Sequence, residues 1–113
     1  MEINITTHQP TAAIVRLQGR LNLLVAAEVK QRLLQEVAAG HAILIIDMSS
    51  VSCIDSSGLG ALIGGLKVAR LAGGDLRLAA VPPQTALLLQ LTRLNRVLTL
   101  YDDVATALGS RVS

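Results

Sequence analysis

The stretch HAILIIDMS, residues 41–49, constrains the fold more than any other. Ala42 to Ile46 form an unbroken apolar run of strand length, rich in β-branched residues. A strand with one wet face alternates apolar and polar residues; a continuous run belongs to a strand covered on both faces, in a mainly parallel sheet. Parallel strands need crossover connections, so the chain on either side must supply helices.

The flanking sequence meets that demand. INITTH and AAIVRLQG read as two short strands separated by QPT, an antiparallel hairpin. GRLN breaks the pattern. Val25, Val29, Leu33 and Val37 then recur four apart and mark one face of a helix from Val25 to Ala39, with Gly40 as its C-cap. After the central strand comes a helix from about Ser57 to Ala72, stopped by Gly73-Gly74. DLRLAAV is a strand closed by Pro82-Pro83. QTALLLQLTRL is a helix with Pro83 suited to its first turn, VLTLY a short strand, and DDVATAL a final helix capped by Asp102. The order ββαβαβαβα predicts an α/β fold: a mixed, mainly parallel sheet of about five strands, about four helices packed on it, and right-handed crossovers.

A chain of 113 residues fits one compact domain over 1–113, and 51% apolar against 16% charged residues supports a packed core. With one Tyr and no Phe or Trp, that core must be aliphatic, and aromatic stacking platforms for single-stranded nucleic acid are missing. The net charge of +2 is scattered, with no Lys/Arg run to grip DNA or an anionic membrane. MEINITTHQP has an acid at position 2 and no apolar core, so no signal peptide is expected; LAAVPPQTALLLQLT holds two prolines and is not read as a membrane span. The lone Cys53, in an apolar strand, is expected to be a buried, reduced thiol of a cytoplasmic protein.

One stretch asks for more than a fold. In SCIDSSGLGALIGG, residues 52–65, an acid and two serines stand at a helix entrance, and the helix carries Gly58, Gly60, Gly64 and Gly65. Asp55 or Ser56 can cap the helix by accepting from a free backbone N–H. Capping leaves the glycines unexplained, since each interior Gly costs about 1 kcal/mol relative to Ala. Close packing or a close-approaching partner must offset that. On a helical wheel Leu59, Leu62, Leu66 and Ala69 share an arc of about 80°, and Ser56, Gly60, Gly64 and Lys67 share another, with Ile63 between. Ser56 thus heads a shallow, solvent-facing stripe along which a partner can lie.

Enzymatic readings of these residues fail on spacing. Gly58-x-Gly60-x-x-x-Gly64 is one residue off a dinucleotide fingerprint, in a chain too short for two mononucleotide-binding halves. No Gly-Lys-Ser/Thr follows for a phosphate loop, and no Gly-x-Ser-x-Gly marks a hydrolase. His8 and His41 carry no triad signature, and one Cys with two dispersed His makes no metal site, so neither metal nor cofactor is expected. Asp47, Asp55 and Asp75 read as caps and turns.

The serine fits better as a substrate. A phosphate at this position adds about −1.5 to −2 charges at a helix N-terminus, where dipole and free N–H groups accommodate it. Asp55 opposes it, and the larger effect falls on a partner docked along the Gly60/Gly64 stripe.

AILIIDMSSVSCIDSSGLGALIGGLKVARLAGGDLRLAAV resembles the central region of the STAS domain family, most closely the bacterial anti-sigma factor antagonists, and VRLQGRLN…AAEVKQRLLQEVAAG matches upstream. The resemblance implies a non-enzymatic cytoplasmic protein that binds an anti-sigma factor, often a serine kinase with a GHKL-type ATP site, and so frees a sigma factor. It implies phosphorylation at the first serine after the aspartate, Ser56, with release of the kinase, and resetting by a PP2C-type phosphatase. Asp55, Ser57 and Asn22 become neighbours of the phosphosite; Gly58, Gly60, Ile63, Gly64 and Lys67 become the partner-binding set. Ser57 is expected to be a structural hydroxyl. One position departs: the family's Gly-x-Leu-Asp is Gly19-Arg20-Leu21-Asn22 here. Asn22 lacks the aspartate's charge, so phosphorylation is expected to be slower, to use another kinase, or to be absent. The alternative is a non-switching STAS subunit of a constitutive complex, such as an ABC-type lipid-transport assembly, in which the same helix is a permanent interface.

Overall fold

A computed structural model describes residues 1–109. Strands β1 (Glu2–Gln9) and β2 (Ala12–Leu21) form the hairpin, followed by α1 (Leu23–Ala38), β3 (Ile43–Ile54), α2 (Ser56–Leu71), β4 (Asp75–Ala79), α3 (Pro83–Leu91), a 3-10 turn (Leu94–Arg96), β5 (Thr99–Tyr101) and α4 (Val104–Gly109). The strands lie in the order β1-β2-β3-β4-β5, β1 antiparallel to β2 and the rest parallel. The element order and mixed sheet are those read from the sequence.

Each crossover from β2 to β5 moves one strand in the same direction. Right-handed crossovers of constant direction place their helices on one face. Accordingly α1, α2 and α3 share one aliphatic core with the sheet, built around Val15, Leu17, Leu44, Ile46, Met48, Leu62, Leu66, Leu78 and Leu89. The opposite face is covered by α4, which closes a smaller cluster of Ile45, Ala79 and Ala107. β3 therefore sends Leu44, Ile46 and Met48 to one face and Ile45 to the other, all fully buried, which is why its apolar run has no alternation.

Helix ends follow local chemistry. Asn22 caps α1 through Oδ1, accepting from the Leu24 N–H, so the helix starts at Leu23 rather than Val25. Its far end closes as a Schellman turn: the Gly40 N–H donates to Val37 O and the His41 N–H to Glu36 O, with Gly40 at φ +97°. Gly73 and Gly74 repeat the arrangement on Arg70 O and Ala69 O at the end of α2. The cap of α4 is Asp103, not the expected Asp102: its Oδ1 accepts from the Thr106 N–H at 2.7 Å. Asp102 stands one residue too early for that geometry.

One further finding departs from the sequence reading, and another was not anticipated by it. Cys53 is exposed rather than buried, because β4 pairs with β3 only as far as Asp47 and the end of β3 runs on beyond it. The other concerns Arg77, a charged residue in β4 that is 1% exposed. It sits under α4, with Nη1 donating to Ala107 O at 2.8 Å and Nε paired with Asp75 Oδ2 at 3.2 Å.

Candidate functional site

The site begins where two helices start side by side. α1 follows β2 and α2 follows β3; because β2 and β3 are adjacent and parallel, both helices leave the same end of the sheet. One side chain joins their first turns. Asp55 is the N-cap of α2, its Oδ1 accepting from the Gly58 N–H at 2.9 Å. Its other oxygen, Oδ2, accepts from the Leu23 N–H at 3.0 Å in the first turn of α1. The Gly58 N–H bond is the largest influence and holds the Asp55 carboxyl below its ordinary value of 3.8; desolvation, next in size, opposes it, and the Leu23 and Ser57 N–H groups add to the lowering.

With Asp55 as the cap, Ser56 is released from that duty. It occupies the first position of α2 and is exposed, and its hydroxyl makes no hydrogen bond among the described residues. Ser57 is half-buried and contributes through its backbone N–H to Asp55; its hydroxyl, expected to be structural, makes no hydrogen bond among the described residues either. Asn22 spends its amide oxygen on Leu24, on the other side of the same junction. Asp55, Ser56, Ser57 and Asn22 are thus brought together.

The glycines of α2 separate into distinct roles. Gly58 is buried, and a Cβ there would be driven into the Leu21 carbonyl oxygen at the end of β2. It belongs to the internal packing of the helix on the sheet and lines no outer surface, a correction to its place in the partner-binding set. Gly65 is likewise internal: a Cβ would stand 2.8 Å from Leu33 Cδ1 and 3.1 Å from Leu76 Cδ1. Gly64 is half-buried beneath Lys30 of α1, whose Cε lies 2.9 Å from where its Cβ would be. Gly60 is exposed with nothing near it. Ile63 is half-buried and Lys67 exposed. The surface stripe therefore runs from Ser56 over Gly60 and past Gly64 to Lys67, with Lys30 as part of its wall.

Residues from α1 extend this surface. Leu23 is 71% and Leu24 89% exposed, an apolar pair beside the Asp55 junction. α2 itself carries no Asp or Glu; its charges are Lys67 and Arg70, and the Asp55 carboxylate stands at its start. Leu23, Leu24 and Lys30 were not legible as site residues, because only the packing of α1 against α2 brings them there. The acids Asp47, Asp55 and Asp75 do not converge: Asp47 bonds Ser49, and Asp75 bonds Arg77 and Arg70 at the opposite end of the sheet. Among the described residues no group of three or more His, Cys, Asp or Glu is placed to hold a metal ion. No helix among them is long and apolar enough to cross a membrane.

Comparison with known proteins places this arrangement among similar ones. The family model described as STAS domain matches residues 2–107. An anti-sigma F factor antagonist of Paenibacillus polymyxa is 28% identical over 104 residues, spanning 89% of this chain and 87% of that one. A crystal structure from Thermotoga maritima, described as an anti-sigma factor antagonist, superposes with a TM-score of 0.83 at 26% identity, covering 94% of this chain and 91% of the other. The Bacillus cell fate determinant SpoIIAA in its phosphorylated form shares the fold, with a TM-score of 0.73 at 16% identity over 93% of this chain and 96% of that one.

Proposed function

The chain belongs to the STAS domain family, and from that premise we propose that it is an anti-sigma factor antagonist gated by phosphorylation of Ser56. The observation that carries the reading is the division of labour at the start of α2: Asp55 does the capping, so the neighbouring Ser56 hydroxyl is exposed and uncommitted. A serine needed to hold the helix would be a poor phosphoacceptor; this one can be modified with the helix intact.

In the unphosphorylated state the stripe from Ser56 through Gly60 to Lys67 receives the anti-sigma factor, with Leu23 and Leu24 extending the contact, and the sigma factor is freed. The kinase is that same partner, of the GHKL type, and a PP2C-type phosphatase reverses the modification. A phosphate on Ser56 is tolerated by the α2 N-terminus, whose N–H groups and dipole favour negative charge. It stands next to the Asp55 carboxylate and at the rim of the docking stripe. A partner seated there meets a bulky dianion, and burying it unpaired costs several kcal/mol, where each 1.4 kcal/mol is about tenfold in affinity. The chain itself acts as substrate, not catalyst. Asn22 at this junction is neutral and adds no charge to that of the Asp55 carboxylate.

The test is co-purification from the native cell with wild type, Ser56→Ala and Ser56→Asp. Retention of a kinase-like partner by the first two and its loss by the third is the expected result. Equal recovery of one partner by all three would reduce Ser56 to a bystander and overturn the switch.

A further inference from the structure

β1 is the outer strand of the sheet: β2 lies on one side of it, and among the described residues no strand lies on the other. Alternate N–H and C=O groups of an edge strand point away from its neighbour, open to another strand. Edges that are to stay unpaired are commonly blunted by lysine, by proline or by shortness. β1 has eight residues, four of them β-branched, and no Lys, Arg or Pro. Its one irregularity, a bulge between Thr7 and Gln9, falls at the end of the strand and leaves Glu2 to Thr7 in regular register with β2.

The side chains of β1 sort into two sets. Ile3 and Ile5 are half-buried and pack against the main core on the helix side, each with part of its apolar surface open at the edge. Glu2, Asn4, Thr6 and His8 are exposed. Consider β1 laid antiparallel to β1 of a second copy, with the two-fold axis at Ile5. Ile5 then opposes Ile5, Ile3 opposes Thr7, Asn4 opposes Thr6, and Glu2 opposes His8. Directly opposed residues share a face and touch. The isoleucines therefore meet on the helix side and cover each other's open surface, and amide meets hydroxyl on the far side. At each end the Glu2 carboxylate meets an imidazole N–H, and nowhere is a charge set against its like. A shift of two residues in either direction separates Glu2 from His8, so charge selects this register.

We propose that the protein forms a two-fold dimer by antiparallel pairing of β1 with β1 of a second copy, which joins two five-stranded sheets into one continuous sheet. The surface is separate from the Ser56 stripe on α2 and does not depend on the switch.

The full chain is followed by sedimentation equilibrium from about 10 μM to about 1 mM, the range suited to a small interface. The expected result is a monomer–dimer equilibrium. In a mixture of isotope-labelled and unlabelled protein, NMR contacts between copies are expected to link residues 3–7 in antiparallel order. Asn4→Lys with Thr6→Lys, both at exposed positions, sets lysine opposite lysine twice and weakens the dimer about tenfold. Mixing that variant with Asn4→Glu, Thr6→Glu restores association as a heterodimer. His8→Glu weakens the dimer about three- to tenfold, and adding Glu2→Lys to it recovers the loss. A monomer at every concentration overturns the proposal, as does a dimer that Asn4→Lys, Thr6→Lys leaves unchanged. Contacts between copies at the exposed Leu71 or Leu91 in place of β1 overturn it as well.

Discussion

The Asp55 carboxylate accepts a hydrogen bond from the Leu23 N–H at 3.0 Å, from the first turn of α1 to the cap of α2. A single acid thus serves two helix starts whose only covalent connection runs through α1 and β3. Asp55→Ala is expected to speed amide hydrogen exchange at Gly58 and at Leu23 together, since one side chain protects both. Exchange measured residue by residue checks this; acceleration at Gly58 alone would show that the Leu23 bond contributes nothing.

The same carboxylate gives stability a pH dependence whose sign is set by its depressed pKa. Asp55, held by the Gly58 N–H, and Asp103, held by the Thr106 N–H, both lie below 3.8 in the folded protein. The unfolded chain therefore binds protons first as the pH falls, and stability decreases there. The contribution is complete above 3.8 and is lost as pH drops through the folded values. Urea unfolding between pH 6 and pH 2.5 is expected to show a shallower acid loss in an Asp55→Asn, Asp103→Asn double variant than in wild type.

Two glycines in one helix should respond in opposite directions to the same substitution. Gly60→Ala adds a methyl into open space and removes the cost of an interior glycine, stabilising by about 0.5–1 kcal/mol. Gly58→Ala forces its methyl into the Leu21 carbonyl and destabilises by about 2 kcal/mol or more. Thermal unfolding of the two variants decides it. Under the proposed docking, Gly60→Ala also weakens partner binding while raising stability.

Ser56→Ala and Ser56→Asp are each expected to change folding stability by less than about 0.5 kcal/mol, because the hydroxyl holds nothing in place. Denaturant midpoints within that margin would mean that any loss of partner by Ser56→Asp reflects charge at the interface. A larger loss in Ser56→Ala would point to a structural role for the hydroxyl.

On the other face of the sheet, Asp75→Ala leaves the buried Arg77 guanidinium without its carboxylate. Removing one member of a buried pair typically costs about 3 kcal/mol. Arg70 also pairs with Asp75, at 3.6 Å, but it is largely solvated and adds little. Equilibrium unfolding is expected to show a loss of that order.

What could be read without coordinates follows the range of the interactions involved. The central strand, the helix faces and the glycine stops are local patterns, and they appear where the periodicity put them. Leu59, Leu62, Leu66 and Ala69 are all buried, as their shared arc on the wheel required. Positions settled by neighbours far along the chain were not legible. Gly58 and Gly60 look alike in sequence, and only the end of β2 makes one of them internal. Cys53 has apolar neighbours but is uncovered because β4 is short, a length that no residue near Cys53 encodes. Arg77 is buried because α4 lies over it, a long-range contact that nothing near Arg77 in the sequence marks.

Tyr101 is the one aromatic side chain of the chain, and its position gives the protein an optical property. It packs, half-buried, against the Ile45, Ala79 and Ala107 cluster, on the face of the sheet away from α1 and α2. The whole near-ultraviolet signal therefore originates behind the sheet. A docking event confined to the Ser56 face leaves tyrosine emission unchanged, so a partner without tyrosine or tryptophan can be titrated against a silent background. A change in that emission on docking would mean that the disturbance has passed through the strands to α4.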